Sequence, residues 1–522
     1  MLLDHEVKLV DVLVVGQMAL QHGPQVVVLP QPFALYHWVL RFTPLLATVA
    51  GPLPTELERL LAVSAERARE RAAPLMDRVR EAVGLGFTVP RPWTERVATG
   101  RPPGPRRWRM LATGGRVGGG PMPMPIRYVP ALPRGAELVI IGGGIVGAAT
   151  AFYASRAGLR PLLLERRPAL CSLTTAVAAG GCRLQLETEE QLRLVRESAE
   201  LFADFAEVTG QAEYGGGLRR QGYLWLTTSE DGAERQRRLV AAQRGWGVSG
   251  VELLSGDEAR RVFPFVGPRV VQARFRADDG LLDPKGVTMG LVAASGARVA
   301  VGCGVVGLHQ RAGGGRVEVE TTRGRLGADT VVVAAGPFSG EVARLAGVDL
   351  PVSTVRRQKL VLPEVPQVPA SAPMTIDDDT GVHWRPAFRG AALLFADPTT
   401  PPSPPNDDVP LDHRFAFQLL DPSSPVSAAR VTPLWREVWE RWSAPWLLQA
   451  GHYTMTPDRR PLIGHTAVEG LLVNSGYSGR GVMAGPAGSR HLVDLLTGKV
   501  PASDNPFRPD RRFAERPRVD IL

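Results

Sequence analysis

The segment from Leu138 to Arg166 constrains the fold of this chain more than any other. It reads LVIIGGGIVGAATAFYASRAGLRPLLLER, so an apolar run meets a cluster of glycines, small residues follow, and a second apolar run ends at Glu165. This order is typical of a strand, a tight turn, a helix and a second strand. The free backbone N–H groups at the start of such a helix bind phosphates. The segment therefore predicts a βαβ unit that holds a dinucleotide.

Four residues of this segment have distinct expected roles. Gly142 permits the tight turn, Gly144 lets the backbone approach a pyrophosphate, and Gly147 lets helix and strand pack closely. Glu165 follows the glycines at close to the expected offset of about 20 residues for an acid that binds the ribose hydroxyls. An acid at this position disfavours a 2′-phosphate. FAD or NAD is therefore expected rather than NADP. The alternative is a glycine-rich turn in an ordinary βαβ unit.

Length and composition limit the classes of protein to consider. The chain has 522 residues and should form roughly two or three domains, since one hydrophobic core does not grow to this size. Three cysteines (Cys171, Cys182 and Cys303) cannot build a disulfide framework, and without a CxxC pair we expect no metal site. We interpret the net charge of +9 as a solvated, arginine-rich surface, with attraction to anionic substrates or membranes as the alternative. Nucleic acid is not an expected partner, because no basic stretch is interleaved with aromatic residues.

The residues before the dinucleotide motif have no evident chemistry. Residues 1–100 are predicted to be an appended module, and 101–135 a linker rich in Pro, Gly and Arg. Residues 26–50 are apolar but interrupted by proline and charge, so we do not expect a membrane span. No signal peptide is recognisable, and translation from an internal methionine is an alternative. We expect a cytoplasmic protein, with attachment at the periphery of the inner membrane as the less favoured option.

The rest of the chain predicts two interleaved domains. Strands alternate with helices in residues 136–215, 296–345 and 446–500, which predicts a Rossmann-like dinucleotide-binding domain. Residues 216–295 and 346–445 are predicted to form a mixed or antiparallel sheet that carries the substrate site. Residues 501–522 are predicted to be a C-terminal tail. The expected fold class is therefore α/β, with an N-terminal appended segment.

Three later segments add to the first motif. Residues 330–336 (TVVVAAG) form an apolar strand with a small-residue end, 453–464 read YTMTPDRRPLIG, and 476–488 read GYSGRGVMAGPAG. Together with the GLLDP stretch at 280–284, and in this order, they resemble the D-amino-acid oxidase superfamily of FAD-dependent oxidoreductases. The glycine oxidase and sarcosine oxidase or dehydrogenase branch is the most similar. The resemblance runs from about Glu137 to Lys499.

The resemblance implies FAD and the residues around it. The first glycines would surround the pyrophosphate, Glu165 would bind the adenosine ribose, and Val305 would contact the adenine. The start of the last helix would place N–H groups at the flavin N1/O2 edge. The expected cofactor-binding residues are Gly142, Gly143, Gly144, Val146, Gly147, Glu165, Thr174, Thr175, Ala178, Ala179, Gly180, Gly181, Val305, Ala335, Gly336, Gly479, Arg480, Gly481, Val482 and Met483.

Departures from the family pattern are also informative. Gly451 stands where some relatives link FAD through a Cys, and Val177 stands where others use a His. We therefore expect non-covalent FAD. Arg480 replaces the common His of the last glycine loop, and Met483 stands where some sarcosine oxidases have a Lys, which argues against sarcosine itself.

The reaction implied by the resemblance is hydride transfer from a carbon that bears an amine to flavin N5. The substrate would be a small amine or amino acid, and the electron acceptor oxygen or a quinone or other electron carrier. Arg385, in GVHWRP, is our first candidate for the substrate carboxylate and Arg183 the second, with a structural role as the alternative for each. His383 is a third candidate, for titration near neutrality and control of substrate protonation, although a packed or exposed bystander is the favoured interpretation. Strand alternation should place His383 on the same face as Arg385.

Three other functions are compatible with the sequence. A 2-hydroxy-acid dehydrogenase of the same superfamily would need an active-site base. A non-catalytic assembly flavoprotein would bind FAD without a small-molecule reductant. A membrane-associated dehydrogenase would pass electrons to quinone, with residues 1 to about 130 as its docking module.

Overall fold

The structure is a computed structural model in which residues 125–214, 217–310, 316–441 and 445–514 are described. The predicted N-terminal module (1–100), the apolar stretch at 26–50 and residues 101–124 of the predicted linker lie outside these ranges. No helix within the described ranges is long and apolar enough to cross a membrane.

Strands and helices follow one another in the mixed order that an α/β fold requires. The strands are β1 (Arg127–Tyr128), β2 (Gly135–Ile141), β3 (Pro161–Leu164), β4 (Gly181–Cys182), β5 (Tyr223–Thr227), β6 (Val251–Ser255), β7 (Gln272–Arg276), β8 (Gly280–Leu281), β9 (Arg298–Ala300), β10 (Val305–Gln310), β11 (Val317–Thr321), β12 (Gly324–Val333), β13 (Ser353–Leu362), β14 (Met374–Asp377), β15 (His383–Ala387), β16 (Gly390–Phe395), β17 (Leu447–Met455), β18 (Leu462–His465) and β19 (Leu471–Ser475). The helices are α1 (Ile145–Arg156), α2 (Thr174–Val177), α3 (Glu189–Ala203), α4 (Phe205–Thr209), α5 (Glu230–Gly245), α6 (Gly256–Val262), α7 (Pro284–Ser295), α8 (Ser339–Arg344), α9 (Arg414–Leu420), α10 (Leu434–Glu440) and α11 (Gly481–Leu496).

The first sheet contains the predicted βαβ unit. Its path is β1-β9-β3-β2-β12-β11-β10, and β19 and β18 extend it from β12. Strands β9, β3, β2, β12 and β19 run parallel, and their buried residues divide between two apolar clusters. Burial on both faces explains why these strands read as continuous apolar runs.

The second sheet has the order β17-β13-β16-β15-β14-β5-β7-β6 and is antiparallel except between β14 and β5. One of its faces packs on an apolar core in which the ring centroids of Trp384 and Trp435 lie 5.6 Å apart. A two-stranded piece, β4 with β8, joins the segment after α2 to the GLLDP stretch. The predicted α/β class with two interleaved sheets is confirmed.

Strand β17 and helix α7 shift the predicted domain boundaries. We placed residues 446–500 with the first sheet, yet β17 pairs along its length with β13 and so belongs to the second. We placed residues 216–295 in the substrate domain, yet α7 packs against α1, with Val287 and Leu291 in the same core. The physical reason is that periodicity reveals a buried face but does not identify the element that covers it.

Both ends of the described chain are packed into the fold. In the predicted linker 101–135, β1 pairs parallel with β9. In the predicted tail 501–522, Phe507 is 6% exposed, and the Arg511 guanidinium donates to the Asp458 carboxylate at 2.8 and 2.9 Å. These parts of the predicted linker and tail therefore belong to the packed fold. Residues 515–522 lie outside the described ranges.

Candidate active site

Two adjoining cavities lie where β2, β3 and β12 end. The first cavity, about 300 Å³, is bounded by the glycine turn after β2, Glu165 after β3 and Ala335 after β12. The second cavity, about 210 Å³, extends from α2 and the start of α11 to the second sheet. The two share six lining residues: Ile145, Val146, Thr174, Thr175, Gly336 and Pro337. Ligands of open α/β sheets bind at this end of the strands.

The glycine turn of the first cavity is enforced by close backbone approach. Gly142 has φ +120°, and a Cβ there would lie 2.4 Å from the carbonyl oxygen of Ala334. A Cβ on Gly147 would lie 1.9 Å from the carbonyl oxygen of Gly142, so α1 meets the turn without room for a methyl group. Gly147 therefore acts in packing and is absent from both cavity walls, whereas Gly142, Gly143 and Gly144 line the first cavity.

Glu165 is held at the wall of the first cavity. Its Oε2 accepts from the Gly143 N–H and its Oε1 from the Arg167 N–H, both at 2.8 Å. Each carboxylate oxygen has a further lone pair available to a ribose hydroxyl. Val305 lines the same cavity, so the residues predicted to meet the ribose and the adenine lie in one cavity wall.

The second cavity includes the start of α11. This sixteen-residue helix begins at Gly481, so its first N–H groups lie at the cavity wall beside Gly479, Arg480, Val482 and Met483. Gly479 has φ +92°, and a Cβ there would lie 2.6 Å from the Tyr453 ring. The positive end of a helix at this position stabilises negative charge on a bound group.

A buried polar network fixes this loop to α1. The Tyr477 hydroxyl donates to Asn474 Oδ1 at 2.5 Å, and Asn474 Nδ2 donates to Thr150 Oγ1 at 3.1 Å and to Ser489 Oγ at 3.0 Å. Thr150 lies on α1, whose first residues line both cavities, and Ser489 lies on α11, whose first residues line the second, so the network joins these two helices.

The two positions that link FAD covalently in some relatives adjoin in this chain. Val177 and Gly451 both line the second cavity, and a Cβ on Gly451 would lie 2.8 Å from Val177 Cγ2. Neither residue carries a nucleophile. Cys171 lines the first cavity, where burial raises the pKa of its thiol to about 11.

One face of the second sheet forms the far wall of the second cavity. Lys359, Leu394 and His383 are register partners across β13, β16 and β15, and all three line the cavity. Val361, Ala392 and Arg385 form the next row on the same face. Trp384, between His383 and Arg385, turns to the opposite face, as strand alternation requires.

The predicted carboxylate-binding arginines occupy different places. Arg183 lines the second cavity, is 3% exposed, and donates to the Gln185 carbonyl at 2.6 Å. Arg385 is half-buried and is not among the lining residues. Its positive charge nevertheless lowers the pKa of Lys359, which does line the cavity. Arg183 therefore lies in the cavity wall and Arg385 outside it, and the role of each in binding a carboxylate stays a prediction.

His383 is a buried, neutral side chain. It lines the second cavity, but burial lowers its pKa to about 4, and its Nδ1 lies 2.9 Å from the Gly381 carbonyl oxygen. The ring is neutral near pH 7 and does not titrate there. This agrees with the favoured interpretation of a packed histidine and not with the titrating alternative, because burial disfavours the charged imidazole.

Among the side chains of the second cavity that sequence reasoning missed, three bear on its chemistry: Tyr223, Arg357 and Lys359. A Cβ on Gly181 would lie 1.6 Å from the Tyr223 hydroxyl oxygen, so this ring reaches into the loop after α2. Lys359 is 8% exposed, its Nζ donates to the Ala178 carbonyl at 3.4 Å, and burial with nearby Arg385 and Lys285 lowers its pKa to about 8. The signal was the run Arg356-Arg357-Gln358-Lys359 inside an otherwise apolar strand, since buried lysines are rare.

Comparison with known proteins places the chain among flavoenzymes. A family model described as FAD dependent oxidoreductase (DAO) matches residues 137–495. Mouse sarcosine dehydrogenase is 26% identical over 399 residues, which cover 73% of this chain and 42% of that protein. D-amino acid dehydrogenase of Cereibacter sphaeroides is 25% identical over 459 residues, covering 74% of this chain and 98% of that protein. Glycine oxidase from Geobacillus kaustophilus has a TM-score of 0.62 at 24% identity and covers 73% of this chain and 100% of the other.

The fold and the paired cavities define an FAD-dependent oxidoreductase. The chain belongs to the DAO family, whose cofactor is FAD, and the resemblance drawn from its motifs is confirmed. It spans about two fifths (42%) of the length of the sarcosine dehydrogenases that it matches. The residues present fit FAD, because the close-packed glycine turn, the carboxylate of Glu165 and the helix start at Gly481 lie along one continuous pair of cavities.

Proposed function

We propose that this protein oxidises the C–N bond of a small amino acid or of a secondary or tertiary amine. The observation that carries the proposal is the absence of a carboxylate base from the second cavity. No Asp or Glu is found among its described lining residues, and His383 is a weak base with a pKa of about 4. Lys359, with a pKa of about 8, is mostly protonated at pH 7. A neutral amine needs no such base, whereas a 2-hydroxy acid does.

The proposed cofactor contacts follow the two cavities. Gly142, Gly143, Gly144 and Glu165 would hold the pyrophosphate and adenosine in the first cavity, and the start of α11 would face the flavin in the second. When bound, FAD accepts a hydride, which is two electrons and one proton, from the carbon next to nitrogen. We infer a non-covalent cofactor, because Val177 and Gly451 offer no linking group.

The side chains of the second cavity would bind and orient the substrate. Arg183 would hold its carboxylate, with Tyr223 beside it. Loss of a hydride from the neutral amine leaves the nitrogen lone pair to form the C=N bond of an iminium ion. Water then adds to that carbon, and a carbonyl compound and an amine are released. Each turnover needs an electron acceptor, which is oxygen or an electron carrier in this proposal. A cytoplasmic location remains part of the same proposal.

Anaerobic titration tests the reaction. The purified holoprotein is mixed with amino acids of both hands, N-methyl amino acids and 2-hydroxy acids, and the visible flavin absorbance is followed. Bleaching by amines alone supports the proposal. Bleaching by hydroxy acids alone assigns the alternative chemistry, and an unbleached spectrum with every compound contradicts the oxidoreductase role. Acid precipitation tests the cofactor linkage, since non-covalent flavin stays in the supernatant.

A further inference from the structure

The charged side chains that line the second cavity are all positive. Arg183, Arg357, Lys359 and Arg480 line it, and its described lining contains no carboxylate side chain, although the Glu187 carboxylate lies 3.5 Å from the Arg183 guanidinium just outside that lining. Arg385 adds a fifth charge, close enough to lower the pKa of Lys359.

Lys359 and Arg357 are not neutralised by ion pairs within the described chain. Lys359 donates to the Ala178 carbonyl, and the charged groups acting on it, Arg385 and Lys285, are both positive. Arg357 donates to the carbonyls of Arg356 and Asp397 at 3.3 and 3.0 Å, and its buried Nε has no partner. The Asp397 carboxylate lies near Arg357 but accepts from the N–H and hydroxyl of Thr399. Arg357 is thus partly compensated by Asp397, whereas the charged groups that act on Lys359 are all positive. Burial of a cation without a counter-charge is costly unless a ligand supplies one.

These cations exceed what one carboxylate and one reduced flavin require. The helix start at Gly481, with Arg480, faces the negative charge that develops on the cofactor. Arg183 suffices for one substrate carboxylate, since a single guanidinium binds both oxygens. Arg357 and Lys359 then remain, two residues apart on β13 and directed to the same face, with Cβ atoms about 7 Å apart along the strand.

We infer that the substrate carries two carboxylates: it is an amino dicarboxylic acid or an N-carboxyalkyl amino acid, and Lys359 binds the second carboxylate with Arg357 close by. This inference rests on the proposed function, because it assumes that the second cavity is where the amine is oxidised. It identifies Lys359 as a specificity-determining residue. Attraction to an anionic substrate is the alternative explanation of the chain's positive net charge. The inference assigns that attraction to the second cavity.

Matched substrate pairs test the inference in anaerobic stopped-flow reduction of the holoenzyme. Aspartate is compared with alanine in both hands, and iminodiacetate with sarcosine, so that each pair differs by a second carboxylate. We expect the rate constant of reduction divided by the dissociation constant to favour the dicarboxylate by roughly tenfold or more. Lys359→Met should reduce this ratio toward one, and Lys359→Arg should restore most of it. Lys285→Met, which removes an exposed nearby charge, should leave the ratio unchanged.

Binding of unreactive acids separates this inference from the reaction itself. Succinate and malonate should perturb the flavin spectrum at concentrations roughly tenfold lower than acetate does, and Lys359→Met should abolish the difference. If monocarboxylic amines bleach the flavin as well as their dicarboxylic partners, the inference fails while the proposed function stands. If no amine bleaches it but succinate binds through Lys359, the proposed function fails and the anion site remains. Equal binding of acetate and succinate, or a preference for phosphonate over carboxylate analogues, would overturn the dicarboxylate assignment.

Discussion

The two cavities are built in different ways. The wall of the first is built around the ends of three neighbouring strands, and its shape depends on close backbone approaches such as that between Gly147 and the Gly142 carbonyl. The far wall of the second consists of side chains from strands that are distant in sequence, such as Lys359 on β13 and His383 on β15. Cofactor binding therefore depends on local backbone geometry, whereas substrate choice depends on how the second sheet pairs.

Removal of the close approach in the first cavity should have the largest effect. Gly147→Ala puts a methyl group 1.9 Å from a backbone carbonyl oxygen that cannot move without displacing β2. We expect loss of bound flavin and a fall in the free energy of unfolding of roughly 1–3 kcal/mol or more. Flavin content after purification and the thermal midpoint measure the two effects.

Gly327→Ala is the matched control, because a Cβ there meets no atom within 4 Å. It should keep the flavin and change the thermal midpoint little. A Gly147→Ala protein with full flavin content would show that the first cavity is more adaptable than its packing indicates.

The next largest effect is expected in the second cavity, at Arg183. Arg183→Met should lower the anaerobic rate constant divided by the dissociation constant by roughly thirtyfold or more, since loss of a buried charge partner costs about 2–5 kcal/mol. Arg385→Met should lower it less, because Arg385 does not line the cavity. Flavin content and circular dichroism of both variants establish that the fold is retained. The reverse order of effects would restore Arg385 as the residue that holds the substrate carboxylate.

Substitution of Asn474, at the centre of the network between α1 and α11, tests whether the two cavities are independent. Asn474→Leu leaves the Tyr477 hydroxyl without its acceptor and removes the donor to Thr150 and Ser489. We expect a loss of about 1–3 kcal/mol in unfolding free energy, measured in urea, and weaker flavin binding. Asn406→Leu, at an exposed loop position, is the control and should change neither quantity. Unchanged flavin affinity in Asn474→Leu would indicate that α1 and α11 hold their places without the network.

The contrast between the cavities also explains what could be predicted from the sequence. Gly142, Gly147 and Glu165 all lie in the 29-residue segment from Leu138 to Arg166, so their spacing alone predicts the turn, the close packing and the ribose-binding acid. The glycine loop before α11 could likewise be predicted from the spacing of its residues alone. Backbone geometry of this kind is encoded locally.

The substrate wall could not be predicted in the same way. Lys359 and His383 face one cavity only because β13, β16 and β15 pair in a particular register, which no local pattern specifies. The assignment of β17 to the wrong sheet has the same origin. The neutrality of His383 depends on burial, and burial is a property of the assembled wall.

The smallest predicted effect is the pH dependence of flavin reduction, which depends on the charge of Lys359 in the second cavity. Burial together with Arg385 and Lys285 lowers the pKa of Lys359 to about 8, so this side chain is charged below that pH and neutral above it. The rate constant of reduction divided by the dissociation constant for a dicarboxylic amine should therefore fall as the pH rises through about 8. The expected loss is up to roughly tenfold, because a neutral amine still donates a hydrogen bond to a carboxylate but without the charge.

The other ionisable groups that face Lys359 should not mask this change. His383 is neutral throughout, with a pKa of about 4, and burial raises the pKa values of Tyr223 and Tyr453 above their ordinary range. Deprotonation of the substrate amine gives a rise with pH that is common to all variants. The ratio of wild type to Lys359→Arg isolates the lysine, because arginine stays charged over the whole range. A ratio that does not change between pH 7 and about 9.5 would mean that the charge of Lys359 does not act on the substrate.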